Sequence, residues 1–104
     1  MAIRKSMEEK VTVEEERSIW LPKVQKALEI GNFKNISVNT TLYQIAADYK
    51  KFTVWGEILI TLTPAGNDNH KTEILIKSTA NADNIYALFK SPNKTIIEAF
   101  KSNL

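Results

Sequence analysis

The sequence predicts an α+β domain in which an antiparallel meander of four strands carries an N-terminal and a C-terminal helix on one face. A fifth edge strand is expected if residues 10–14 join the sheet. Three observations point to this fold. Apolar residues recur at helical spacing near residues 20–31 and again near 92–104. Between them, from Asn35 to Thr79, the apolar period shortens to 2. Finally, three even-length turns place every apolar set of that stretch on one face, as a half-buried antiparallel sheet requires.

Taken in order, Lys10-Val11-Thr12-Val13-Glu14 alternates polar and apolar residues and reads as a short strand. Residues 1–9 are expected to be a flexible leader, with Met7 as an alternative start, and residues 10–104 a single domain. A helix is expected from Ser18 or Leu21, with Pro22 in its first turn, where proline is tolerated. Its apolar stripe is Trp20, Val24, Ala27 and Leu28, and Gly31 is placed to end it at positive φ.

The first meander strand carries Ile36 and Val38, and Asn39-Thr40 forms the next turn. The second carries Tyr43, Ile45, Ala47 and Tyr49 inward, with a turn centred on Lys50-Lys51. The third runs from Phe52 to Thr63 with Val54, Gly56, Ile58, Ile60 and Leu62 inward. Residues 64–70 are dense in turn formers, and the fourth strand runs over 71–79 with Ile74 and Ile76 inward. In this register Tyr49 meets Phe52, Tyr43 meets Ile58, Ile36 meets Tyr43, Ile58 meets Ile76, and Glu57 faces Lys77. In the tail, Asp83 caps a short helical piece with Ile85, Leu88 and Phe89. Ser91-Pro92 is an N-cap and N1 pair opening a helix with Ile96, Ile97, Phe100 and Leu104 on one side. Lys101 near its end suits the helix dipole.

The outer face of that sheet is unusual. It aligns Leu42, Leu59 and Leu75 in one row, with Ala46 beside Trp55, where a solvated face ordinarily carries Thr, Lys and Glu. Exposed apolar patches of this kind mark partner or ligand surfaces.

Composition bounds the function. The 104 residues suit one domain; 43% are hydrophobic and 25% charged, which is ordinary globular usage. Without cysteine there is no disulfide, thiolate nucleophile or cysteine zinc site, and this fits a cytoplasmic location. No apolar run is long enough to span a membrane. Net charge is +2, and all but Arg4 and Arg17 of the fourteen cations are lysines. Phosphate readers favour clustered arginine, so composition does not call for a nucleic acid.

Catalytic constellations are missing. His70 lies in the Gly/Asn-rich loop, Asp48, Glu57 and Glu73 project outward among lysines and threonines, and no phosphate-binding or nucleophile-elbow motif occurs. No catalytic residue, metal site or cofactor is therefore expected. Most aromatics point into the core by parity. Only Trp55 lies plainly on the outer face, so no base-stacking platform is expected.

The stretches 52–64, 78–86 and 91–94 resemble those of small uncharacterised bacterial domains with the same helix, meander and helix plan. That resemblance covers roughly residues 27–104 and implies no activity and no functional residues. More distantly the plan is similar to the helix-grip lipid-binding fold, with fewer strands than the full version.

The expected function is a non-enzymatic interaction module, self-associating or binding a protein partner through Leu42, Ala46, Trp55, Leu59 and Leu75. The alternative is a small hydrophobic-ligand or lipid-binding domain of reduced helix-grip type. In that alternative Tyr43, Tyr49 and Gly56 line a space between the sheet and the C-terminal helix. Low-affinity nucleic-acid binding through Lys50, Lys51, Lys71 and Lys77 is the weakest alternative.

Overall fold

The computed structural model describes residues 4–51, 54–66, 68–81 and 91–104. Its elements run β1 (Arg4–Glu14), α1 (Arg17–Ile30), β2 (Lys34–Asn39), β3 (Gln44–Lys51), β4 (Val54–Ala65), β5 (Asp68–Asn81) and α2 (Pro92–Lys101). The strands form one antiparallel sheet in the order β1-β5-β4-β3-β2. The expected meander is therefore β2 to β5, and β1 adds a fifth strand against β5.

β1 is longer than residues 10–14. It reaches back through residues 4–9, expected as a leader, with Lys5 opposite Ala80 and Glu9 opposite Ile76. Those residues lack clear alternation. What recruits them is the backbone of β5, a 14-residue strand whose N–H and C=O groups need partners on this side.

The inner face is the expected one, but each strand pairing is displaced further along the chain. Tyr49 meets Gly56 rather than Phe52, and Ile45 meets Ile60 rather than Gly56. Ile60 meets Ile76, so Ile58 falls opposite Ser78 and Glu57 opposite Thr79. Val38 meets Ile45, and Ile36 is not beside Tyr43. Each of these slips is an even number of residues, so the paired side chains named here keep their face; a bulge between Lys34 and Ser37 shifts the start of β2 by one residue.

The chemistry of the turns explains the slips. Asn39 accepts from the backbone N–H of Thr41 and Leu42 at 3.0 Å each, so the loop starts at Asn39 and runs on to Tyr43. The final hairpin is far tighter than the expected loop over 64–70. Ala65 stands opposite Asp68, and a register shift after Pro64 accommodates the proline.

Ile45, Ile60, Leu62, Ile74 and Ile76 are fully buried on the inner face. From above they are covered by Val24, Ala27 and Leu28 of α1 and by Ile96, Ile97 and Phe100 of α2. α2 starts as expected: Ser91 caps it by accepting from the backbone of Lys94 at 3.3 Å, with Pro92 at N1. Leu104 lies beyond the helix and is 39% exposed, so it leaves the buried stripe. Among the described residues the buried polar side chains are Thr72, Ser78 and Asn93; Ser78 donates to Asn93 at 2.8 Å, which fixes the start of α2 over β5.

α1 begins at Arg17, which puts Pro22 in its second turn and removes the bond to the Ser18 carbonyl. Its end also differs from expectation. Gly31 has φ −75°, and the left-handed residue is Asn32 at φ +64°. The Phe33 N–H reaches back to Leu28 O at 3.0 Å, as in a Schellman closure. Gly31 is needed for a different reason. A Cβ there would stand 3.0 Å from the Ala99 carbonyl oxygen and 3.1 Å from the Phe33 ring, so the glycine lets α1 and α2 touch. The expected helical piece around Asp83, Ile85, Leu88 and Phe89, like Phe52, lies outside the described residues.

Candidate functional site

The outer face does not align its leucines. Leu59 stands between Ala46 and Lys77, whereas Leu75 stands between Thr61 and Lys10. Leu59 and Leu75 are therefore diagonal neighbours. Leu42 is in the loop before β3, at the opposite end of the face from Trp55, which pairs with Lys50. Trp55 and Leu59 are 43% and 38% exposed, and Ala46 is exposed while Leu75 is half-buried. A shallow depression of about 320 Å³ lies here, lined by Asn35, Ala46, Asp48, Glu57, Leu59 and Lys77 among others. Asp48 and Glu57 face each other across the strands, and Asn35 donates to Asp48 at 2.9 Å. Both carboxylates are thus outward, as expected; they face each other across β3 and β4, and Lys34 of β2 stands opposite Asp48.

The proposed trio for an internal ligand is not gathered around a space. Tyr49 is buried against Phe33, ring centroids 5.0 Å apart, and burial raises its phenol pKa above the ordinary value. A Cβ at Gly56 would stand 2.3 Å from the Thr79 carbonyl oxygen and 2.8 Å from Ala80 Cα. What occupies the room beside this glycine is the backbone of β5. Tyr43 lies in the loop before β3 at φ +53°, a strained conformation for an aromatic residue. The Arg17 guanidinium sits 4.0 Å above its ring. It borders an open cleft of about 230 Å³ with Glu16, Arg17, Ser18, Pro64 and Lys71.

A larger groove, about 520 Å³, lies between α1 and the residues after α2. It is lined by Trp20, Pro22, Lys23, Lys26, Asn103 and Leu104. Trp20 is half-buried, and its indole N–H donates to the Glu14 carbonyl, which fixes the ring. Lys23 Nζ lies 4.7 Å from that ring and 3.2 Å from Glu15 Oε1. Lys26 is exposed on the same helix, two residues from the core position Leu28. The sequence hinted at this groove through Trp20, Lys23 and Lys26, spaced by three along α1. Reading Trp20 as plain core hid it.

His70 is exposed in β5 close to the final hairpin, and Glu73 bridges to Lys10 at 3.5 Å on the outer face. Among the described residues no three His, Asp or Glu side chains converge as a metal site. The lysines proposed for nucleic acid are also dispersed. Lys50 and Lys51 end β3 at one end of the sheet, Lys71 begins β5 at the other, and Lys77 stands mid-face. Among the described residues no helix is long and apolar enough to cross a membrane.

No protein-family model and no curated protein matches the chain. Solved structures do. Norcoclaurine synthase from Thalictrum flavum, in complex with dopamine and hydroxybenzaldehyde, superposes with a TM-score of 0.64 at 9% identity, over 98% of this chain and 84% of that one. A truncated form of the same enzyme gives 0.62 at 9% identity, over 98% and 91%. A point mutant with a transition-state analogue gives 0.58 at 10% identity, over 98% and 94%. At these identities the likeness is one of fold: an open antiparallel sheet gripping a C-terminal helix, the helix-grip class, with five strands here.

Proposed function

We propose that this chain is a non-enzymatic binding domain of reduced helix-grip type, taking a small hydrophobic ligand with an anionic group. The observation that carries the reading is the groove of about 520 Å³ lined by Trp20, Pro22, Leu104, Lys23 and Lys26. Its size falls among small-molecule sites, and Trp20, Pro22 and Leu104 give it an apolar wall beside Lys23, Lys26 and Asn103. The indole and Leu104 suit an apolar body, and Lys26 offers a cation at the rim. Lys23 is already engaged with Glu15. The fold likeness to a synthase crystallised with two small aromatic molecules supports the small aromatic body of the ligand, while its anionic group rests on Lys26 alone. The packed interior supports placing the ligand outside the core rather than between sheet and α2.

The test uses 1-anilinonaphthalene-8-sulfonate, an aromatic body with a sulfonate. Saturable one-to-one binding with altered Trp20 fluorescence is expected, and Lys26→Glu should weaken it about tenfold with an unchanged melting transition. No saturable binding, or wild-type affinity in both Lys26→Glu and Trp20→Ala, refutes the reading.

A second reading rests on Trp55 and Leu59, exposed on the outer face beside the depression around Ala46. Here a protein partner or second copy covers that face. Sedimentation of the wild type and Leu59→Asp decides it: a strictly monomeric wild type, with Leu59→Asp indistinguishable in solubility, removes the self-association form.

A further inference from the structure

We propose that a second copy of this chain pairs antiparallel with the free edge of β1, joining two five-stranded sheets into one continuous sheet. Among the described residues β1 has a strand on one side only, and along its 11 residues the other backbone edge is presented up to Glu14, whose carbonyl accepts from the Trp20 indole. Long edges are usually guarded by charges, especially inward-pointing ones or lysines. β1 has both, but its own chain already holds them. Glu9, inward beside Ile76, is bridged by Lys101 of α2, and Lys10 by Glu73 at 3.5 Å. Met7, on the inner face at this edge, is 38% exposed.

The strand is complementary to itself. In a continuous sheet, inward residues must meet inward residues, which limits the register to steps that preserve parity. With the two-fold axis at Glu9, Glu8 of each copy faces Lys10 of the other, Met7 faces Val11, and Ser6 faces Thr12. Every one of these is a favourable cross-strand pair and occurs twice by symmetry. An axis at Glu8 sets Glu8 against itself and Met7 against Glu9. An axis at Lys10 sets Lys10 against itself and Glu9 against Val11. At the Glu9 axis the one like-charge meeting is between two carboxylates each neutralised by its own Lys101.

The chain has no cysteine, so a single introduced one reports the register. Residues directly opposite in an antiparallel pair lie about 4.5–5.5 Å apart at Cα, within disulfide reach. Glu9→Cys should therefore cross-link two copies under mild oxidation. Ser6→Cys, whose counterpart is displaced by roughly 20 Å along the strand, should not. Sedimentation should show a wild-type dimer, weakened about tenfold by Lys10→Glu, which sets like charges together in both symmetric pairs. Leu59→Asp should leave the dimer intact. A wild type that stays monomeric at several hundred micromolar overturns the proposal. So does equal cross-linking of Ser6→Cys and Glu9→Cys, or a dimer abolished by Leu59→Asp, which places the interface on the outer face.

Discussion

Gly56→Ala separates two meanings of a glycine on the inner face of a sheet: room left for a ligand, or room taken by a neighbouring strand. The structure puts the missing methyl 2.3 Å from the Thr79 carbonyl oxygen and 2.8 Å from Ala80 Cα. Both are backbone atoms of β5, and neither can yield without moving the strand. Overpacking of this kind costs about 1–3 kcal/mol. Against it stands the gain of roughly 0.5–1 kcal/mol that alanine has over glycine in a strand interior. The clash wins, and a net loss of about 1 kcal/mol is expected. With a urea m-value of about 1 kcal/mol per molar, the midpoint should fall by roughly 1 M with the slope unchanged. Adding Ala80→Gly should rescue little, because the closest contact is to the Thr79 carbonyl rather than to the Ala80 methyl, at 3.0 Å. A Gly56→Ala variant as stable as wild type, or more stable, would refute the close approach and reopen the site as ligand space.

Other outcomes follow from the same packing. Ile60→Ala, at a fully buried position, should cost about 2–5 kcal/mol in chemical denaturation, whereas Leu59→Ala should stay within about 1 kcal/mol. Asn93→Ala strips the buried Ser78 hydroxyl of its partner and should cost about 1–3 kcal/mol. Adding Ser78→Ala should then cost less than the sum of the two single changes, a coupling that a double-mutant cycle reads directly. The Tyr49 phenol has its pKa raised by burial. The unfolded chain therefore loses that proton first, and the contribution is intact below the unfolded tyrosine value. It declines as pH rises from there through the folded value. Melting measured across alkaline pH should show this decline in wild type and lose part of it in Tyr49→Phe.

The sequence by itself determined which side chains of the meander face inward, because strand side chains alternate with period 2 and every turn displacement was even. Ile45, Ala47, Tyr49, Ile58, Ile60, Ile74 and Ile76 are buried as the alternation requires. Local chemistry likewise marked Ser91-Pro92 as the start of α2. Which residues stand opposite one another was a tertiary outcome. The side-chain oxygen of Asn39 set where one loop begins, and the extent of β4 and β5 set another. No apolar pattern records those choices. The outer-face row of Leu42, Leu59 and Leu75 depended on that register and dissolved with it, leaving Leu59 beside Ala46. Residues 4–9 became strand because β5 needed backbone partners, a demand made by a segment more than sixty residues away in sequence. The groove at Trp20 came from the approach of α1 to the residues after α2, a distance that only the packing of both helices on one sheet could set.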